Sequence, residues 1–106
     1  MHILVSAFIA WCLLCRTFFV GDVANSTKTL VEGTKAALNA AIAICAPGVA
    51  FKEIGREIET FTKKKYPHLI VGQDFIGHGV GKNFHSAPWV FHFKNNQREG
   101  VMKVCC

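Results

Sequence analysis

Between Gly77 and Phe93 the sequence reads G-H-G-V-G-K-N-F-H-S-A-P-W-V-F-H-F, and no other stretch limits the fold as much. It carries His78, His85 and His92, three of the five histidines, together with three of the nine glycines and Pro88. A seven-residue spacing would stack the histidines on one face of a helix, but three glycines and a proline disfavour a helix here. The stretch is therefore expected to be a loop over Gly77–Lys82 running into an aromatic strand over Trp89–Phe93. His78 sits between Gly77 and Gly79, so no adjacent side chain crowds its imidazole, which can approach a ligand or metal closely.

The remainder of the chain supplies a helical layer. Arg16–Val20 is β-branched and aromatic and stops at Gly21-Asp22, a turn signal, so it is expected as a strand. Asp22, Asn25 and Ser26 are N-cap candidates for a helix over about Ser26–Cys45. Leu30, Thr34, Ala37, Leu38, Ala41, Ile42 and Cys45 fall on one stripe of it, and the alanines would let a large element such as a sheet approach closely. Ala46-Pro47-Gly48 ends that helix. A second helix over Ala50–Lys65 buries Phe51, Ile54, Gly55, Ile58 and Phe61, with Glu53 and Glu57 early and Lys63–Lys65 late, as the helix dipole favours. Glu59 and Lys63 have the supporting i, i+4 order, so these carboxylates read as structural. Tyr66-Pro67 breaks the helix, and Leu69–Val71 begins a new extended piece. The order strand, helix, helix, strand, loop, strand describes a two-layer α/β or α+β unit.

Size and charge narrow the function classes. A chain of 106 residues holds at most one ordinary domain. The net charge of +5 comes from 12 basic and 7 acidic residues that are dispersed apart from Lys63–Lys65, so no specific nucleic-acid partner is expected. Five cysteines, Cys12, Cys15, Cys45, Cys105 and Cys106, form no even framework for a secreted disulfide scaffold. Met1–Cys15 is apolar but short of the roughly 20 residues that span a bilayer. It also lacks a basic flank and a cleavage site, which leaves leader, core strand and foreign sequence open.

Gly77–Gly81 followed by Phe84-His85-Ser86-Ala87-Pro88 resembles the type 1 methionine aminopeptidases, which carry a G-H-G-(I/V)-G segment and then F-H-x-x-P. Arg16-Thr-Phe-Phe-Val-Gly-Asp22 is similar to that family's strand after a metal aspartate, and Ala46-Pro47-Gly48 with Ile54-Gly55 to its helical layer. Val90-Phe-His-Phe93 and Asn95-Asn96 resemble its next strand and turn. The likeness covers about Arg16–Met102. It implies an incomplete pita-bread fold, two helices packed on a curved, mostly antiparallel sheet, with 1–15 and 103–106 outside the family segment. It implies an enzyme that removes N-terminal methionine from nascent proteins with divalent cobalt, manganese, iron or zinc ions. By the same resemblance His78 is a metal ligand, His85 contacts the substrate near the scissile amide, and Phe84 and His85 bind substrate. Its partners would be N-terminal peptides, with the ribosome admitted, in a cytoplasmic or organellar setting.

The departures from the family pattern bear on activity. The family's metal centre draws on two aspartates, one histidine and two glutamates. Met1–Cys15 contains no carboxylate, and Val101–Cys106 contains none either. A lone imidazole does not hold a dinuclear site at neutral pH, so the chain by itself is expected to be inactive. Two other readings stand beside this one. One is a non-catalytic pita-bread module that binds peptides through Phe84, Trp89, Phe91 and Phe93. The other is a small metal-binding protein that uses His78, His85, His92, Cys105 and Cys106, a mixed donor set suited to zinc.

Overall fold

The computed structural model describes residues 15–98 and 100–104. Its elements are α1 (Asn25–Ala43), α2 (Lys52–Lys65), β1 (Gly77–Gly79) and β2 (Ser86–Val90), a partial α/β fold. The expectations for residues 1–14 and for Cys105 and Cys106 lie outside the described residues.

None of the three N-cap candidates caps α1. The N-cap is Ala24, with no side-chain bond, and its carbonyl takes the Lys28 N–H. Thr29 and Thr34 turn their hydroxyls back to donate to the carbonyls of Asn25 and Leu30, four residues earlier, which caps none of the first-turn N–H groups. At the other end the Cys45 N–H bonds to the Ile42 carbonyl. The chain then turns through Pro47 to Gly48, whose φ of +88° favours glycine.

The buried line of α1 is Gly33, Ala37 and Ala41, spaced four apart. Small residues on that line admit a close neighbour, and the neighbour is α2, not the sheet anticipated from the alanines. Leu30, Leu38 and Ile42 of the expected stripe remain exposed. In α2 the expected stripe is only partly buried: Gly55 is fully so, while Phe51, Ile54, Ile58 and Phe61 are half-buried. Thr62 joins Gly55 in the interior of this helix. Glu53 in the first turn and Lys63–Lys65 in the last suit the helix dipole, and the Arg56–Glu53 pair adds an i, i+3 contact at 3.2 Å.

The extended segments differ from expectation. Arg16 makes a single bridge and 17–20 form no strand. Leu69–Val71 also lies outside any ladder. The segment expected to open a loop at Gly77 is strand β1. It pairs antiparallel with β2 in the register Gly77↔Val90, His78↔Trp89, Gly79↔Ser86. The register jumps after His78, passing over Ala87 and Pro88, which are joined by a cis peptide bond. A proline has no N–H to place in the ladder, so an irregularity is where the pair can accommodate it. Gly79 fits because it has no side chain: a Cβ there would overlap the Ala87 carbonyl. The glycines thus permit a close strand pair.

Past Val90 the chain leaves the ladder and crosses α2, which is why the aromatic strand ends two residues after Pro88 and does not reach Phe93. The backbone of Phe91 and Phe93 lies against Gly55, where a Cβ would overlap both carbonyl oxygens and stand 2.9 Å from the Phe93 carbonyl carbon. One turn on, Glu59 accepts the Lys94 N–H at 2.7 Å and also pairs with Lys63. A second backbone pairing closes the inter-helix loop: Gly48 N–H donates to the Met102 carbonyl and Met102 N–H to the Val49 carbonyl.

Three substitutions test this packing. Gly55→Ala gains about 1 kcal/mol of helix propensity but meets immovable carbonyls, so a net loss of about 1–3 kcal/mol is expected in thermal or urea unfolding. Gly33→Ala meets only the ends of the Leu69 and Tyr66 side chains and should be close to neutral. The Lys63 hydrogen bond, then the Lys94 N–H, hold the Glu59 carboxyl below its ordinary value near 4.5. The stabilisation is therefore present above that value and is lost as pH falls through the lowered one. Glu59→Gln should be less stable than the parent at pH 7, and the gap should close in acid melts.

Candidate active-site segment

Three of the sequence-predicted site residues come together at the hairpin. His78 lies on β1 opposite Trp89 of β2, so the two side chains share a face, with ring centroids 6.2 Å apart. The bends of Val80–His85 carry the chain back over this face. They place the His85 ring 4.3 Å and the Phe84 ring 5.7 Å from His78. Phe84 and His85 themselves meet edge to face at 4.6 Å. His78 is half-buried, whereas Phe84 and His85 are exposed. A reacting group arriving from solvent therefore meets Phe84 and His85 before His78.

The hydrogen bond to His78 fixes its tautomer. Its Nδ1 is 2.9 Å from the Gly79 carbonyl, and a carbonyl only accepts, so Nδ1 carries the proton. Nε2 is left with its lone pair, the arrangement found in metal-ligating histidines held by a backbone carbonyl. Among the described residues, however, no third His, Cys, Asp or Glu joins this pair to make a metal-holding group. Two neutral imidazoles do not offset the charge of two divalent ions. The residues present do not fit a dinuclear centre, and no chemical step is derived through one.

His92 stands beside Gly77, its Nε2 3.7 Å from where a Gly77 Cβ would lie, and not in the His78–His85 pair. Its side chain lines a groove of about 370 Å³ with Leu30, Leu38, Ile58, Ile70 and Phe75, and removal from water pushes its pKa below the ordinary 6.5. It is not part of a three-residue donor group with His78 and His85. Phe91 and Phe93 pack on each other at 5.4 Å, so the four aromatics read as a peptide surface divide into two sets. Among the described residues no helix is long and apolar enough to cross a membrane. The sequence reading missed two determinants: Gly79 against the Ala87 carbonyl, and Glu59 reaching Lys94, 35 residues away. The glycines on either side of His78 could have signalled the first, but no local pattern signals the second.

Comparison with known proteins places this geometry. The model of metallopeptidase family M24 matches residues 10–104. The chain is 50% identical over 81 residues to methionine aminopeptidase 1D, chloroplastic/mitochondrial, of Arabidopsis thaliana, covering 76% of the chain and 23% of that protein. It is 45% identical over 93 residues to methionine aminopeptidase 1b of Plasmodium falciparum, covering 85% of the chain and 18% of that protein. The chain thus spans about a quarter or less of the curated relatives it matches. Among solved structures, methionine aminopeptidase from Rickettsia prowazekii superposes with a TM-score of 0.74 at 31% identity, over 84% of this chain and 35% of that one. The Thermotoga maritima enzyme gives the same score and coverage at 26% identity. With the family model matched over residues 10–104 of the chain and methionine aminopeptidases as relatives in both sequence and pita-bread fold, the chain belongs to metallopeptidase family M24.

Proposed function

We propose that residues 16–102 carry the imidazole segment of a methionine aminopeptidase site, and that the 106-residue chain does not turn over substrate by itself. The observation that carries the reading is the gathering of His78, His85 and Phe84 on one hairpin face, with the His78 and His85 rings 4.3 Å apart. Nε2 of His78 supplies one metal-binding lone pair, and the nitrogen donor suits cobalt, manganese, iron or zinc. Divalent ions, where further ligands completed the site, would supply Lewis-acid polarisation and an activated water. His85, exposed beside it, donates a hydrogen bond to the oxygen of the scissile carbonyl as charge develops there. Phe84 gives an apolar wall for the methionine side chain, whose thioether makes favourable contacts with aromatic rings. The substrate class is the N-terminal peptide of a new polypeptide, and the organellar names among the relatives support an organellar or cytoplasmic setting. The absence of a third donor beside the imidazoles among the described residues supports inactivity in isolation.

The purified chain, given each of the four ions and a Met-Ala-Ser peptide, should release no methionine above the blank. Metal-dependent release that His78→Ala abolishes would overturn the proposed inactivity. The residue roles are tested by grafting 16–102 into the Rickettsia prowazekii enzyme in place of its matched segment. The graft should be active and should lose both activity and bound metal on His78→Ala. His85→Ala should lower kcat by about 100- to 1000-fold, as for loss of one oxyanion donor. Phe84→Ala should raise KM roughly tenfold, the equivalent of about 1.4 kcal/mol of apolar contact. Full activity in any of these three variants would remove the role assigned to that residue.

A further inference from the structure

Three rings stand against the His78 imidazole, and the backbone holds them in different ways. Phe84 and His85 reach it from the exposed end of the Val80–His85 bends, at 5.7 and 4.3 Å between centroids. Trp89 reaches it from β2 as the register partner of His78, at 6.2 Å with the ring planes 54° apart. A strand in a ladder fixes a side chain more closely than an exposed loop does. The indole is half-buried and has few side-chain torsions, so it keeps its plane at little entropic cost. Gly77 and Gly79 flank His78 without side chains, which leaves the cross-strand ring as the contact carried by regular backbone. The register jumps directly after His78, so this pair is the last one before the ladder breaks. The Gly79 carbonyl holds Nδ1 at 2.9 Å and settles the tautomer. An imidazole anchored at one atom still pivots about that anchor and swings Nε2. A second contact, on the ring itself, removes the pivot.

We propose that Trp89 is the positioning residue of His78: its indole, braced on β2, holds the imidazole in one orientation, so that Nε2 keeps a fixed aim. The inference deepens the proposed site and rests on the reading of His78 as its imidazole donor. Trp89 acts through the direction of one lone pair and touches no reacting atom. Outer contacts that fix the ring of a ligating histidine are worth about 10- to 100-fold in metal affinity. An aromatic contact is weaker than the hydrogen-bonded partners behind that range, so its lower end, about tenfold, is expected for Trp89. A tryptophan that only covered the hairpin would behave differently. Any apolar side chain of similar bulk would then serve, and the His78 ring would not respond to the exchange.

The test has two arms. In the isotope-labelled full chain, nuclear Overhauser contacts should join the His78 and Trp89 rings, and the ring-nitrogen shifts should report a single species protonated at Nδ1. Trp89→Leu keeps apolar bulk on the strand, so the Gly77–Val90 pairing contacts should remain while the His78 ring averages over several orientations. Trp89→Phe should restore one orientation. In the graft of 16–102 into the Rickettsia prowazekii enzyme, Trp89→Leu should weaken metal binding about tenfold, with KM unchanged once metal is saturating. Trp89→Phe should stay within about threefold of the parent graft. The proposal is overturned if the His78 ring keeps one orientation in Trp89→Leu, or if that variant of the graft binds metal as tightly as the parent. It is equally overturned if Trp89→Phe is as impaired as Trp89→Leu. Where the free chain or its Trp89→Leu variant does not fold, the graft decides. A graft that keeps its metal after His78→Ala removes the site assignment, and the ring contacts in the free chain then decide whether Trp89 orients His78.

Discussion

The contact between Gly55 and the backbone of Phe91 and Phe93 joins the two halves of the structure. α1 touches α2, and α2 alone of the helices touches the hairpin. A two-stranded hairpin is marginal in water without a surface to pack on, so β1 and β2 depend on this approach for their order. The approach is close because no side chain intervenes, and closeness brings Glu59 within reach of the Lys94 N–H. A missing side chain and one carboxylate together fix the direction in which the chain leaves β2. That direction turns His92 into the groove beside Gly77, while His78 and His85 stay together on the hairpin face.

The same use of glycine recurs at the site. Gly79 admits the Ala87 carbonyl at the point where the register jumps over Pro88. Without the jump, His85 would lie farther along the returning chain from His78. The irregular ladder therefore brings the second imidazole to the first, and the Gly79 carbonyl settles which nitrogen of His78 faces outward. Two of the chain's least conspicuous features, a bare Cα and an imino acid, set the geometry on which the imidazole chemistry depends.

Helix positions were legible in the sequence because their signals are local. Pro47-Gly48 and Tyr66-Pro67 bracket α2, and its acidic first turn and basic last turn stand in the structure as the sequence implies. The imidazole cluster was legible for a similar reason, since His78, Phe84 and His85 lie within eight residues. The strands were not. Val, Phe and Thr at 16–20 carry strand propensity, but a ladder needs a partner, and propensity does not say whether one is present. The reverse error occurred at Gly77–Gly79, where glycine reads as loop although close pairing with a proline-containing strand demands it. The α1 stripe was half legible: periodicity located the face, but the small residues are buried and the large ones are not. Which part of a face is covered depends on residues distant in sequence.

This contrast explains how the chain can be so recognisable and still lack a metal centre of its own among the described residues. What identifies the family is a run of glycine, histidine and proline whose geometry is set within about 17 residues of sequence. A dinuclear centre needs several anionic oxygen donors converging on one point, because two dications must be neutralised as well as coordinated. Convergence of that kind is a property of whole sheets, since each strand delivers one or two ligands to the common point. The interior is subject to the same limitation. Among the described residues the buried side chains are alanine and threonine, with no large side chain fully enclosed. Small residues let α1 and α2 approach, but they remove little apolar area from water, at about 25 cal/mol per Å². The large side chains that would add most to stability are those left exposed along the groove. Among the described residues ligand supply and core burial are therefore limited together, because both call for donors or side chains from outside this hairpin and helix pair.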